Sequence, residues 1–235
     1  MNTRTKELDR FYELIDELRI RCGGTRILAE CNGRMSWPRR GVYLFFENGE
    51  LRSDGVTPRV VRVGTHGLRP SKSTLWGRLN QHKGHVGGSF AGGGNHRGSV
   101  FRRHVGSALL ASGEWPDAVQ ASWPNGQNAS RLVRATEHPL ERAVTATIGS
   151  MPFLWLAVDD EPSSTSDRGV IEVGSIALLS NIDRAAIDGP SDDWLGRRAR
   201  SDLISRSGIW NVNHVQQPAD GEFLRTFESW LERMN

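Results

Sequence analysis

Long apolar runs are missing from this 235-residue chain. The longest run, residues 151–158, is far too short to span a bilayer, and the first ten residues lack the apolar core of a signal peptide. The sequence therefore predicts no membrane contact and favours a cytoplasmic location. Cysteine is scarce as well. Cys22 and Cys31 have no neighbouring His or Cys at zinc-ligand spacing, which argues against a zinc knuckle and favours two free thiols.

Acidic residues are absent from residues 59–103, although this stretch is rich in Lys, Arg and His. The net charge of the whole chain is only +3, so the uneven distribution matters more than the total. Protein surfaces normally mix both signs of charge. The stretch therefore predicts a face that binds a polyanion, of which nucleic acid is the most common. The alternative is a locally basic surface without a ligand.

Two well-known signatures of chemistry are also missing, namely the GxxxxGK phosphate loop and the GxSxG nucleophile elbow. The three consecutive glycines at residues 92–94 follow a predicted helix and favour a loop over a nucleotide cradle. Tyrosine occurs only as Tyr12 and Tyr43. Any chemistry must therefore come from a set of dispersed side chains.

The periodicity of apolar residues predicts an α+β fold with a small three-stranded antiparallel sheet flanked by helices. Strands are expected at the two apolar runs that begin at Gly41 and Arg59, and in the run that begins at Phe153. Asn48-Gly49 reads as a hairpin turn signal, and Pro139 as the first residue of a helix. The predicted helices occupy residues 3–22, 71–84, 99–113, 138–150, 166–181 and 222–234, and residues 115–137 are expected to be mostly loop.

Four side chains are candidates for chemistry. Arg78 and His82 lie four residues apart, so both project from one face of a predicted helix. Glu172 stands within an apolar helix, where a carboxylate is either paired or coordinates an ion. Tyr43 lies in the first strand. Three of them also have an ordinary explanation: an exposed helix-face arginine, a solvent-facing glutamate, and a packed strand tyrosine.

Taken in order, these motifs resemble the GIY-YIG nuclease family. Residues 41–43 read Gly-Val-Tyr where the family has Gly-Ile-Tyr, and residues 62–64 read Arg-Val-Gly where it has Tyr-Ile-Gly. The helix LWGRLNQH carries Arg78 at the position of the family's essential arginine, with His82 one turn later. The resemblance runs from about residue 41 to residue 181.

The resemblance implies a metal-dependent endonuclease. Glu172 would bind Mg²⁺ or Mn²⁺, Asn181 would match the family's terminal asparagine, and Tyr43 would activate the attacking water. The chain departs from the family at Arg62, which replaces the second tyrosine and stays protonated, so it is a poor base. His66, two residues after the Arg-Val-Gly motif, is the candidate substitute as proton acceptor.

The expected partner is nucleic acid, with double-stranded DNA favoured, and the oligomeric state is left open. The phosphate backbone of the nucleic acid is expected to contact five basic residues of the acid-free stretch, which are Lys83, His96, Arg97, Arg102 and Arg103. Three segments are predicted: an N-terminal helical extension at 1–35, a nuclease domain at 36–185, and an accessory segment at 186–235 packed on that domain. The alternatives are a catalytically lapsed module that binds nucleic acid or a protein, and an unrelated α+β protein with a small-molecule role.

Overall fold

A computed structural model describes residues 3–84, 87–124, 128–163 and 165–234 of the chain. Four strands form within these residues: Arg26–Ile27 (β1), Gly41–Leu51 (β2), Pro58–Gly64 (β3) and Pro152–Ala157 (β4). They build one antiparallel sheet in the order β1-β4-β2-β3. The long strand β2 is therefore paired on both sides, and Tyr43 lies between Gly64 of β3 and Trp155 of β4.

Helices cover both faces of this sheet. Their bounds are Thr3–Arg21 (α1), Leu75–Lys83 (α2), Val100–Ser112 (α3), Asp117–Ser122 (α4), Arg131–Gly149 (α5), Asp167–Leu179 (α6), Asp202–Ser207 (α7) and Glu222–Glu232 (α8). The helical periodicity of the sequence predicted α1, α2, α3, α6 and α8. The α+β class is confirmed.

The two faces of the sheet contribute to two separate cores because side chains alternate along each strand. Val42, Leu44 and Val63 pack with residues of α1, α6 and α8. Tyr43 and Phe45 point the other way, into a cluster with residues of α2, α3 and α5. The candidate chemistry on β2 therefore lies on the face covered by α2 and α3.

The sheet has four strands within the described residues, where three were predicted. The additional strand β1 is two residues long and pairs with Pro152 and Phe153 at the start of β4. Two residues cannot show an alternating pattern, so nothing in the local sequence marks them as a strand.

Two local predictions were wrong. Pro139 lies inside α5 rather than at its start, since Ser130 caps the helix by accepting a hydrogen bond from the Val133 N–H. The segment before Pro139 is therefore partly helical, although residues 125–127 lie outside the described part. Asn48-Gly49 is not the hairpin turn, because β2 continues to Leu51. Gly49 adopts φ 85° within the strand, which its missing Cβ permits.

The predicted terminal segments pack against the rest of the chain. Residues of α1 and α8 contact each other and share one core with the sheet, and α6 packs on α8. The boundaries at residues 35 and 185 stay a prediction. Both cysteines are free thiols.

Candidate active site

A buried chain of three side chains connects β2 to the start of α3. The Tyr43 hydroxyl oxygen lies 2.8 Å from Nε2 of His82, and Nδ1 of the same ring lies 2.8 Å from Oγ of Ser99. Ser99 is the N-cap residue of α3, and its oxygen also accepts a hydrogen bond from the Arg102 backbone N–H. The helix cap therefore fixes the orientation of the imidazole that faces the tyrosine.

His82 is neutral at pH 7 in this position. Burial lowers its pKa well below 6.5, and the positive charges of Arg78 and Arg62 lower that pKa further. A neutral imidazole has one N–H donor and one acceptor nitrogen. When Nδ1 donates to Ser99, Nε2 is free to accept the hydroxyl proton of Tyr43. The arrangement therefore provides a proton path from Tyr43 to His82.

The position of the Tyr43 ring depends on Gly64, its cross-strand partner. A Cβ at Gly64 would lie 2.8 Å from Cε2 of Tyr43 and still closer to its hydroxyl, so the ring occupies the space that a side chain would fill. Glycine is therefore required at the end of β3 because the tyrosine ring lies across its backbone.

The register of β3 against β2 places Arg62 on the face of the sheet that carries Tyr43. Arg62 pairs with Phe45, whereas the next pair in the ladder joins Phe46 to Val60, so β3 carries one additional residue at Val61. Because cross-strand neighbours share a face, Arg62 lies on the same side of the sheet as Tyr43 and Phe45. The arginine thus occupies the place beside Tyr43 that the resemblance assigns to the second tyrosine.

Arg62 is a buried cation with an incomplete set of partners. Its Nη1 donates to the Trp210 carbonyl at 2.7 Å, its guanidinium stacks 4.7 Å from the centre of the Phe101 ring, and its Nε makes no hydrogen bond with a described residue. Burial lowers the pKa of Arg62, whereas the nearby Tyr43 hydroxyl and the Glu172 carboxylate raise it. The side chain remains charged at pH 7 and is held close to both groups.

Arg78 approaches the same place from α2. The helix begins after Thr74, whose hydroxyl accepts the Gly77 N–H, and this cap sets the direction of its first turn. The Arg78 guanidinium is half-buried and donates to the Gln81 side chain and to the Gly98 carbonyl. Both partners are uncharged, so its positive charge is not neutralised by them and stays available to an anion.

Glu172 faces this group from α6. Its Oε1 accepts the backbone N–H of Thr65, which follows directly after β3, at 3.2 Å. Burial raises the pKa of Glu172, against the opposing effects of Arg62, the Thr65 N–H and His214. The half-buried carboxylate borders a cavity of about 490 Å³ whose lining also includes His214 and Asp220. Arg62 and Arg78 lie near enough to Glu172 to affect its pKa, which connects this carboxylate with the group around Tyr43.

His66 lies beside this group, but its ring forms few hydrogen bonds. It is 6% exposed, and neither ring nitrogen has a hydrogen bond of normal geometry with a described residue. Burial and the charges of Arg168, Arg78 and Arg40 lower its pKa to about 4, while the Ser73 backbone opposes them. His66 is therefore unprotonated at pH 7, but it is a weak proton acceptor. Its role as a substitute base stays a prediction.

Asn181 is not brought to this group. It follows the C-terminal end of α6, and the rise from Glu172 to Leu179 alone is about 10 Å. Its side-chain oxygen accepts hydrogen bonds from Arg4 of α1 and from the Ile187 N–H. The amide therefore joins α1 to the chain after α6, which is a structural role.

Three of the predicted nucleic-acid contacts are inside the protein. His96 and Arg102 both bind the carboxylate of Glu141, and Arg97 forms two hydrogen bonds with Glu137. His96 and Arg102 are 2% and 0% exposed, and both glutamates are buried as well. Because these side chains are paired and enclosed, they are not available to a phosphate backbone in this conformation. Their assignment as nucleic-acid contacts is therefore corrected.

The other two predicted contacts lie nearer the surface. The ammonium group of Lys83 donates a hydrogen bond to the Cys31 carbonyl, and the residue is half-buried. Arg103 is exposed, and its guanidinium forms no ion pair or hydrogen bond with any residue that the structure describes. Arg103 is thus the member of the predicted set that can meet a polyanion.

The C-terminal segment supplies residues that the sequence analysis did not assign to the site. The Trp210 N–H donates to Val61, and the Asn211 side chain both donates to and accepts from the Val63 backbone, so this segment covers the free edge of β3. His214 adopts φ 66°, an uncommon conformation for a histidine, and lines the cavity beside Glu172. The alternation of polar and apolar residues at 209–215 is the sequence feature from which an extended segment beside the sheet could have been predicted.

Metal ligation in this group rests on one carboxylate. No cluster of three or more His, Cys, Asp or Glu side chains suited to a metal exists among the described residues. A single carboxylate with water completing the shell is an arrangement that Mg²⁺ accepts. None of the described helices is both long enough and apolar enough to cross a membrane.

Comparison with known proteins agrees with the geometry. A family model described as the GIY-YIG domain matches residues 2–235, which includes the terminal segments as well as the stretch between residues 41 and 181. No curated protein and no solved structure matches the chain.

Proposed function

The chain belongs to the GIY-YIG domain family, which implies a nuclease-type function, and we propose that it is a metal-dependent endonuclease that cleaves double-stranded DNA. The observation that carries the proposal is the hydrogen-bonded pair of Tyr43 and His82 next to two arginines and one carboxylate. These are the components that phosphodiester hydrolysis needs: a proton acceptor, positive charge around the phosphate, and a ligand for a divalent cation.

Tyr43 and His82 together would deprotonate the attacking water. The water would lose a proton to the Tyr43 oxygen while the original hydroxyl proton of Tyr43 moves to Nε2 of His82, which lies 2.8 Å away. The hydroxide formed would bond to phosphorus, and one phosphorus–oxygen ester bond would break. The neutral state of His82 supports this assignment because a protonated imidazole could not accept the proton.

Arg78 and Arg62 would stabilise the negative charge that develops on the phosphate. Arg78 is only half-buried and its contacts are uncharged, which leaves its guanidinium able to reach a bound phosphate. Donors of this kind are worth about 3–4 kcal/mol each to a transition state. Arg62 is held by the Trp210 carbonyl, so it would act from a fixed position behind Tyr43.

A divalent cation fits beside Glu172. Burial raises the pKa of this carboxyl in spite of the nearby Arg62, so a further positive charge at the cavity would stabilise its ionised form. When bound, Mg²⁺ or Mn²⁺ would polarise the phosphate and stabilise the leaving oxygen. The protein's own contribution is the orientation of the carboxylate by the Thr65 N–H.

A plasmid-nicking assay in Mg²⁺, Mn²⁺ or Ca²⁺ tests this function, with Glu172→Gln as the key variant. Glu47→Gln is the matched control, since Glu47 is also half-buried with a pKa raised by burial, but its carboxylate is bound by the indole N–H groups of Trp194 and Trp210. We expect nicking by wild type and Glu47→Gln and a loss of at least about 100-fold in Glu172→Gln. Equal nicking by Glu172→Gln and wild type would overturn the role of Glu172.

A lapsed site that still binds nucleic acid is the second candidate. The observation that favours it is the enclosure of Tyr43, which is 1% exposed and lies beside Arg62 in place of a second tyrosine. This candidate predicts salt-sensitive DNA binding by the wild type with no nicking in any of the three metals. A protein that does not bind DNA even at low salt would fit neither candidate.

A further inference from the structure

A cavity of about 250 Å³ opens beside α3, away from the Glu172 cavity. Arg103, His104 and Ser107 line it from α3, and Arg200 and Ser201 line it from the segment before α7. Pro124 completes the lining, which contains no acidic residue among the described part of the chain. The fold thus brings side chains of α3 together with side chains at least 93 positions later in the sequence, and the charged side chains around this small cavity are all basic.

Neither arginine of this cavity has a partner for its guanidinium among the described residues. Arg103 and Arg200 are exposed, and neither guanidinium forms an ion pair or hydrogen bond with a residue that the structure describes. The neighbouring Arg102 behaves differently, because Glu141 neutralises it inside the protein. Asp202 comes next after Ser201, but its side chain is exposed and does not line the cavity. Two unneutralised guanidinium groups that share a concave space favour a bound anion.

His104 supplies a buried polar atom to the same place. Its Nε2 is enclosed and has no hydrogen-bond partner within the described residues. Burial and the charges of Arg62 and Arg103 lower the pKa of His104 to about 4, so the ring is neutral at pH 7. A buried nitrogen without a partner is costly unless something binds it, and the nearby Ser201 hydroxyl is a donor of the kind that phosphate oxygens accept, whereas the Ser107 hydroxyl already donates to the Arg103 carbonyl.

The cavity also lies close to the candidate active site. Phe101, which packs on the Arg62 guanidinium, is one helical turn before His104 on α3, a rise of about 5 Å. Arg62 is near enough to influence the pKa of His104.

We propose that this cavity binds a backbone phosphate of the DNA substrate, a different one from the phosphate at Arg78. Arg103 and Arg200 hold the phosphate oxygens from two sides, and the Ser201 hydroxyl completes the contacts. The proposal rests on the nuclease function proposed above. It assigns the segment before α7 to substrate binding, so this part of the chain does more than cover the core.

Binding of a fluorescently labelled duplex in EDTA, measured by anisotropy over a range of KCl concentrations, tests the proposal without cleavage. Arg200→Ala and Arg103→Ala are the test variants. Arg225→Ala is the control, because Arg225 is an exposed arginine on α8, which packs on the opposite face of the sheet. We expect each test variant to bind about tenfold more weakly and its salt slope to fall by about 1, with Arg225→Ala unchanged.

Equal affinities and salt slopes for wild type, Arg200→Ala and Arg103→Ala would overturn the proposal. Competition by inorganic phosphate and by a nucleoside monophosphate identifies the source of the phosphate. If the mononucleotide binds wild type but not Arg200→Ala while duplex binding is the same in both, the cavity serves a free nucleotide and the proposal is refuted. Thermal unfolding of each variant confirms that the fold is retained, as expected for exposed side chains without partners.

Failure of this proposal can be told apart from failure of the nuclease assignment. If wild type nicks DNA and Arg200→Ala binds it normally, the nuclease stands and the subsite is refuted. If wild type does not nick DNA but Arg200→Ala loses affinity and salt slope, the phosphate subsite stands on a protein that only binds.

Discussion

Replacing Arg62 with Met separates the structural role of this arginine from its chemical role. The change removes a charged hydrogen bond to the Trp210 carbonyl, worth about 1.5–3 kcal/mol, and the contact with the Phe101 ring, worth about 1–2 kcal/mol. It also removes the cost of a buried guanidinium whose Nε has no partner among the described residues, about 1–3 kcal/mol for that atom alone. The combined loss of about 2.5–5 kcal/mol is only partly offset by this gain of about 1–3 kcal/mol, so the free energy of unfolding should fall by about 2 kcal/mol.

Arg59→Met is the matched control on the same strand. Arg59 is as buried as Arg62, but its Nε binds the Glu50 carboxylate at 2.8 Å, and Glu50 is itself buried. Removing Arg59 leaves that carboxylate without its counter-charge, which typically costs about 3–5 kcal/mol. The two variants therefore make the same chemical change but differ in the expected loss of stability, since Arg59 forms an ion pair with a buried carboxylate and Arg62 forms none with a described residue.

Urea denaturation of both variants gives the stability difference, and the nicking assay gives the effect on activity. We expect Arg62→Met to lose about 10²–10³ in rate while remaining folded, because its charge stabilises the phosphate. A loss of stability in Arg62→Met equal to that in Arg59→Met would refute this partial offset of energies. Nicking at the wild-type rate by a folded Arg62→Met would refute the role of Arg62 toward the phosphate.

Two further variants probe the buried framework. Gly64→Ala places a methyl group against the Tyr43 ring, so we expect urea denaturation to show a loss of about 1–3 kcal/mol in the free energy of unfolding. Because the ring is displaced from His82, we also expect at least a 100-fold loss of nicking. Unchanged stability and nicking would contradict the required close approach of the ring to Gly64. Glu141 is buried, which alone would raise its pKa, yet hydrogen bonds and Arg102 lower it from 4.5 to about 2. Its ionisation therefore stabilises the fold above pH 4.5, and this stabilisation is lost as the pH falls toward 2. Glu141→Gln should lower the free energy of unfolding by about 3–5 kcal/mol at pH 7 and make the acid-unfolding profile flatter. An acid-unfolding profile identical to that of the wild type would contradict this role of Glu141.

Much of the site could be predicted because its signals are local. The Gly-Val-Tyr and Arg-Val-Gly motifs lie at the start of β2 and the end of β3, and the cap at Thr74 with the spacing of Arg78 and His82 defines α2. Such short-range patterns place each residue on an element. The order of the elements then brings Tyr43 and His82 within 2.8 Å of each other.

The role of the acid-free stretch could not be predicted from local charge. His96, Arg97 and Arg102 have no acidic neighbour in sequence, but Glu137 and Glu141 on α5, about 40 positions later, form hydrogen bonds with them. A count of charges within residues 59–103 cannot include counter-ions that arrive through tertiary packing. Residues that looked like a basic surface are therefore a buried support for α3, and Ser99 at its N-terminus still orients His82.

The cover that residues 209–215 place on β3 has a consequence for synthesis on the ribosome. Arg62 emerges early, but the carbonyl that holds it belongs to Trp210, and the Asn211 amide that pairs with Val63 emerges next. Until that part of the chain has been translated, β3 has a free edge and Arg62 lacks this acceptor. The nascent protein therefore cannot complete its site until residues 209–215 have been translated, which would delay any cleavage of nearby nucleic acid until this segment has covered β3.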